Sequence, residues 1–240
     1  MSGGARRTAR RGSILAWLRR AVLFAVAGAL AVVLLVALLG VAYNVVTPVS
    51  TLMLGRWLTG QAVTRTVVPL QAIAPDLPLA VVTSEDQRFC EHNGVDWDAL
   101  RAVVESADDE DGPSRGASTL TMQLAKNLFL WPGRSVIRKG LEIPLAMYLD
   151  LVLSKRRQME IYLNVAEWGP GTFGAEAGAQ RAFNKPARAL SRREAALLAS
   201  ALPNPILRNP GRARPGHRGL ADRLAARMPA ASALAGCVRR

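Results

Sequence analysis

Two glutamates far apart in the chain, Glu85 and Glu142, are the side chains best placed to do chemistry. Glu85 lies in "SEDQRFCEHNGVD" (84–96), after the apolar run "LAVV" and close to Phe89. Desolvation in such a setting raises a carboxyl's pKa toward that of a working base. Glu142 closes "RKGLE", where Ser135, Arg138, Lys139 and Glu142 share one face of a helix. One carboxylate near apolar side chains and another inside a cationic cluster fit a sugar-transfer site, in which one removes a proton and the other manages charge at the leaving side. An Arg138–Glu142 pair is equally an ordinary helix ion pair, so spacing alone leaves both readings open.

The other polar residues of the opening motif, Asp86, Glu91, His92 and Asp96, could ligate a metal, but their spacing matches no standard zinc or calcium loop. A solvated helix end is the competing reading, with Asp96 as the cap of the next helix. Cys90 and Cys237 are too few and too far apart for a disulfide framework or a zinc site, and no function is expected of either.

The elements that must position these groups are helical. "DWDALRAVVESA" (96–107) starts at Asp96, and "ADDEDGPSRG" (107–116) is a polar loop. In "GASTLTMQLAKNLFL" (116–130), Ser118 or Thr119 caps a helix on which Leu120, Leu124 and Leu128 form one stripe. Thr119, Gln123 and Lys126 form another, with Asn127 at its edge. The helix carrying Glu142 contains Gly140 and Pro144, so a kink is expected near the carboxylate. Farther on, Ser191 and Glu194 form a capping box before a helix that stops at Pro203. No long strand pattern appears, which predicts a mainly α domain with at most a short β-hairpin.

The net charge of +13 suggests nucleic acid until it is divided along the chain. Residues 21–200 hold 17 basic and 17 acidic side chains, so the excess lies entirely at the two ends, and no nucleic-acid partner is expected. No charge falls between Arg20 and Arg56, and residues 21–46 are apolar almost throughout, longer than the roughly 20 residues a bilayer crossing needs. Arg6, Arg7, Arg10, Arg11, Arg19 and Arg20 precede this span, which orients the N-terminus toward the cytoplasm and the rest outside it. The division expected is a cytoplasmic basic tail (1–20), a transmembrane helix (21–46), a proline-broken membrane-proximal connector (47–78), a catalytic domain (79–205) and a basic C-terminal tail (206–240).

Taken in order, "SEDQRFCEHNGVD", "RGASTLTMQLAKNLFL", "RKGLE" and "IYLNVAEWGPGTFGAEAGAQRAFNKPARALSRREAALLASALPNP" resemble the motifs of glycosyltransferase family 51, the peptidoglycan transglycosylases, over about residues 68–205. With only about 35 residues left after Pro205, the chain looks like the monofunctional biosynthetic kind, without a transpeptidase domain. The resemblance implies a lysozyme-like, mainly helical fold behind a single N-terminal transmembrane helix, in the bacterial inner membrane with the catalytic domain in the periplasm. It implies polymerisation of lipid II into glycan strands with inversion and release of undecaprenyl pyrophosphate. By motif match, Glu85 would be the base on the acceptor's 4-hydroxyl, and Glu142 would lie near the donor's pyrophosphate. Lys126, Arg134, Arg138 and Lys139 would be its cationic partners, with Ser118 and Gln123 lining the cleft. Asp86, Phe89, His92, Gly94 and Asn127 would support the site. A Mg²⁺ or Mn²⁺ ion at the pyrophosphate is compatible with the family, although no all-protein metal cage is visible, and no organic cofactor is expected. The expected partners are lipid II, the growing glycan, the bilayer and other cell-wall synthesis or division proteins. Asp150 stands where the family tends to have glutamate, and Met122 replaces a frequent glutamine. A lysozyme-like glycan hydrolase and a non-catalytic envelope scaffold are the competing readings.

Overall fold

The computed structural model describes residues 3–105, 117–133 and 135–239. Arg134, the polar loop at 107–116 and the side chains of Arg6, Arg7, Arg10 and Arg11 lie outside the described residues. The chain divides into two compact units, Met1–Ala42 and Tyr43–Arg240. The first is a single helix, α1 (Gly3–Ala42). Its stretch Trp17–Ala42, 26 residues of mean hydropathy 3.1, is long and apolar enough for one membrane span. Large apolar side chains such as Phe24, Leu30 and Val33 are exposed along it. The helix stops at Ala42 rather than at 46 because the next residues belong to the second unit. There Tyr43 stacks on Phe129 with centroids 6.0 Å apart, and Asn44 Nδ2 donates to the Val152 carbonyl at 3.0 Å.

The second unit is mainly α, as its sequence predicts. Its described helices are α2 (Thr51–Leu58), α3 (Asp76–Glu85), α4 (Trp97–Glu105), α5 (Leu120–Phe129), α6 (Val136–Val152), α7 (Lys155–Val165), α8 (Ala175–Phe183), α9 (Arg192–Ala201), α10 (Pro215–Arg227) and α11 (Gly236–Arg239). Side-chain caps start many of them. Asp96 Oδ1 accepts from the Ala99 amide, Thr119 Oγ1 from Met122 and Ser135 Oγ from Arg138, while Ser191 and Glu194 make the expected capping box. One core gathers α3, α9 and α10, where the small buried residues Ala80, Ala195, Ala196 and Ala199 let helices approach closely. The other packs α5 on α6 and α7 through Leu120, Leu124, Leu149 and Ile161, all at most 2 % exposed. α6 runs through Pro144 as one helix of 17 residues.

Three short strands, β1 (Thr64–Arg65), β2 (Glu167–Gly169) and β3 (Thr172–Phe173), form a sheet in the order β1-β3-β2. β2 and β3 are the expected hairpin, and β1 from the connector pairs parallel to β3, Thr64 opposite Thr172. The connector is therefore part of the domain. Met53 is fully buried, and Asn164 holds the backbone of Val68 through both side-chain ends, at 3.0 and 2.8 Å.

Two expectations are corrected. Residues 206–240 are not a free tail, because α10 packs on α9 and α3 through Ala221 and Leu224, and Arg193 pairs with Asp222 at 2.9 Å. Second, Cys90 and Cys237 are joined in a disulfide, with Cα atoms 5.6 Å apart and a separation of 147 positions in sequence. No local spacing reports a pair that only the tertiary fold brings together. In the chain-entropy description, closing a loop of that length stabilises the fold by about 5 kcal/mol.

Candidate active site

Glu85 is the last residue of α3, delivered into the interior by the apolar turns before it, in which Leu77, Val81 and Val82 are fully buried. The turn that follows is fixed from several sides. The Asp86 carboxylate accepts from the Leu120 amide at 2.8 Å, at the start of α5, and meets His92 Nε2 at 3.0 Å. Thr119 Oγ1 donates to the Gly94 carbonyl at 2.6 Å. Lys155 Nζ donates to the His92 carbonyl at 2.7 Å, pairs with Asp150 at 2.6 Å and stands 4.7 Å from the centre of the Phe89 ring. Asp150 also accepts from Gln158 Nε2 at 2.9 Å. Glu91, its side chain 57 % exposed, pairs with Arg88 at the surface, as a solvated residue would.

α5 presents the polar stripe read from the sequence. Gln123 Nε2 donates to Glu85 Oε2 at 3.1 Å, and Tyr162 Oη on α7 donates to Gln123 Oε1 at 3.0 Å, which fixes the amide so that its nitrogen faces the carboxylate. Burial raises the Glu85 pKa, while hydrogen bonds from Gln123 and Ser84 and the positive charges of Arg208 and Lys126 pull it partly back. Burial likewise pushes the Tyr162 phenol well up, aided by the charge on Glu85, so it stays a neutral donor.

One turn along α5 from Gln123 stands Lys126. Burial lowers its pKa, and the charges it feels are those of Glu142, Arg138, Lys139 and Glu85. This ammonium, which borders one cavity with Arg138, feels the charge of both glutamates, and no hydrogen bond from the described residues occupies it. Glu142 is 2 % exposed, with Arg138 Nη1 on one oxygen and Lys139 Nζ on the other at 3.0 Å. Lys139 also donates to Ser118 Oγ at 2.9 Å, tying α6 to the start of α5. Arg138 Nε is buried and lacks a partner among the described residues, and the Arg138 side chain helps to line a cavity of about 180 Å³ together with Lys126, Asn127 and Trp131. A second cavity of about 340 Å³ is lined by Glu85, Asp86, Ser118 and Thr119. The site thus has a carboxylate-lined recess and a cation-lined one.

The family model described as "Transglycosylase" matches residues 52–229. The chain belongs to the transglycosylase family. Its mainly helical domain has that family's lysozyme-like fold. It is similar to proteins named "Biosynthetic peptidoglycan transglycosylase" in several bacteria. The Rhodopseudomonas palustris (strain HaA2) protein is 55% identical over 206 residues, 84% of this chain and 91% of that protein. The Nitrobacter winogradskyi protein is 52% identical over 221 residues, 92% and 97% of the two chains. The Agrobacterium fabrum protein is 55% identical over 194 residues, 80% and 85%.

The transglycosylase domain brings together Glu85, Gln123, Lys126, Ser118, Arg138, Lys139 and Glu142, while Asp86, Phe89, His92 and Gly94 build the turn behind Glu85. Asn127 borders the cation-lined recess. Two further residues reach the site that sequence reasoning did not select. Tyr162 orients Gln123, and Arg208, whose Nη1 donates to the Ser200 carbonyl at 2.7 Å, places its charge near Glu85. Both arrive from distant segments, so no local signal marks them. For a divalent metal the donor set does not fit a protein cage. Among the described residues no three His, Cys, Asp or Glu groups cluster, and both Glu142 oxygens already have cationic partners.

Proposed function

We propose that this transglycosylase polymerises lipid II into β-1,4-linked glycan strands with inversion, releasing undecaprenyl pyrophosphate. Glu85 is the base in this reading. It takes the proton from the acceptor's 4-hydroxyl while that oxygen bonds to the donor's anomeric carbon and the carbon–oxygen bond to the pyrophosphate breaks. Gln123, held by Tyr162, keeps the receiving oxygen in place. The leaving pyrophosphate gains negative charge, which Lys126 meets with charge-assisted bonds and the Arg138 guanidinium, lining the same recess, offsets electrostatically. Glu142 holds Arg138 and Lys139 in position as an internal counter-charge. These cations bring positive charge to the leaving pyrophosphate from the protein itself.

The observation that carries this reading is Lys126, an ammonium one turn from the Gln123 that holds Glu85 and lining the same cavity as Arg138 of the buried Arg–Lys–Glu cluster. A hydrolase would need the carboxylates but has no use for a cation recess, which suits a phosphorylated donor. The relatives' name points the same way. The span at Trp17–Ala42 and the arginines before it support a single-pass anchor in the inner membrane with its N-terminus in the cytoplasm. A disulfide in the catalytic unit suits the oxidising periplasm. Exposed apolar side chains on α2 and at the start of α6, Trp57, Leu58, Val136 and Ile137, suit a domain that meets the bilayer where a polyprenyl-linked substrate resides.

Purified full chain given labelled lipid II should yield glycan polymers with β linkages and free undecaprenyl pyrophosphate. Cleavage of mature peptidoglycan with no polymer formed would instead establish the hydrolase.

A further inference from the structure

The segment after Met228 is held down by little apolar surface. It consists of an alanine-rich 3₁₀ helix, Ala230–Ala235, followed by α11, and among its described residues the buried side chains are Ala231, Ala235 and Val238, with Leu234 half-buried. Between it and the start of α3 lies a mostly apolar cavity of about 500 Å³, lined in part by Leu70, Ile73, Leu79, Ala235 and Val238. A gap of this kind forfeits the close contacts that would otherwise fasten the segment. Its polar ties include Arg156 Nη1 to the Val238 carbonyl at 3.0 Å and the Cys237 amide to Cys90 Sγ at 3.3 Å. The covalent tie is the disulfide to Cys90.

Cys90 is not a neutral attachment point. It lies in the turn that follows Glu85, between buried Phe89 and buried His92. The segment it holds packs along α3, the helix that ends in Glu85, and on α7, which carries Tyr162. Noncovalent bonds fix the inner side of the turn through Asp86 and Lys155, and the disulfide fixes its outer side.

We propose that the Cys90–Cys237 disulfide is a redox latch on the turn behind Glu85, so that polymerisation begins only after the domain has been exported and oxidised. The proposal rests on Glu85 being the base. Latching forms one Sγ–Sγ bond. The two thiols lose their protons, and two electrons pass to a disulfide-bearing oxidant, which becomes a dithiol. Because the cysteines stand 147 positions apart, the bond cannot form until the chain between them has been made, and its oxidation suits the oxidising compartment outside the cytoplasm. Both cysteines are half-buried, so a small thiol reagent can reach them.

The test uses the full chain in detergent with lipid II, assayed as purified, after dithiothreitol, and after reoxidation with oxidised glutathione. Maleimide mass labelling reports the thiols, and far-UV circular dichroism reports the fold. Reduction should lower kcat about tenfold or more with KM within about twofold and an unchanged helix signal. Reoxidation should restore the rate, and a Cys90→Ser/Cys237→Ser variant should match the reduced protein and ignore dithiothreitol. Equal kcat before and after reduction overturns the latch, as does maleimide labelling of both cysteines in untreated exported protein. So does loss of helix signal together with activity, which would make the bond a general staple. An oxidised parent that makes no polymer overturns the catalytic reading itself, a separate result.

Discussion

Glu85 is a carboxylate held where burial works against its ionised form, and a base must be ionised to act. The polymerisation rate should therefore fall as pH drops through its raised pKa, which a pH–rate profile of kcat/KM would show. The stability consequence follows with a definite sign. A folded pKa above the unfolded one favours the fold below the unfolded pKa, and this contribution is lost as pH rises through the folded value. Glu85→Gln should consequently melt at or above the parent's temperature at neutral pH, with the gap closing toward about pH 4, near the unperturbed carboxylate range. A lower melting temperature at neutral pH would contradict the desolvation account. The Glu142 side chain is the counter-charge for Arg138 and Lys139. Glu142→Gln leaves buried cationic charge uncompensated and should cost about 3 kcal/mol in urea unfolding, along with activity. Lys126→Ala removes the ammonium that feels both glutamates. Donor affinity should drop, and the remaining binding should depend less on salt; unchanged donor affinity at every salt concentration would remove Lys126 from the pyrophosphate contact.

The elements explain why so few residues suffice. α3 ends at Glu85, and the turn beyond it closes against α6 at Gly94, whose φ of +86° and lack of a side chain are both required. A Cβ there would stand 2.6 Å from the Ala146 carbonyl oxygen, so Gly94→Ala should destabilise by about 2 kcal/mol or more, measured by thermal melting, and slow catalysis by shifting the turn. Much of this local structure was legible in the sequence. Caps at Asp96, Thr119, Ser135 and Ser191 begin helices as their hydrogen-bonding chemistry dictates, and the Gln123–Lys126 stripe faces Glu85 because helical periodicity places it opposite the leucines. What periodicity cannot report is which distant element arrives beside which. Tyr162, Arg208 and the Cys90–Cys237 bond depend on tertiary packing, and the basic composition of residues 206–240 concealed a helix whose buried face is narrow, made of His217, Ala221 and Leu224.

At the scale of the molecule, each unit offers apolar surface of its own, the Trp17–Ala42 span in one and the α2 and α6 side chains in the other. If the second surface meets lipid, a Leu58→Ser/Ile137→Ser variant reconstituted in vesicles should consume vesicle-borne lipid II about tenfold more slowly while keeping the parent's melting temperature, since each buried large apolar side chain contributes about 1.5–3 kcal/mol. An unchanged rate would leave membrane approach to α1 alone. The central claim concerns one proton transfer, and the most direct measurement is the single-turnover polymerisation rate of Glu85→Gln against the parent on labelled lipid II. A loss of about 10²–10⁴-fold in a folded variant is the expected result, the range for removing a general base. A rate within a few-fold of the parent would contradict the account.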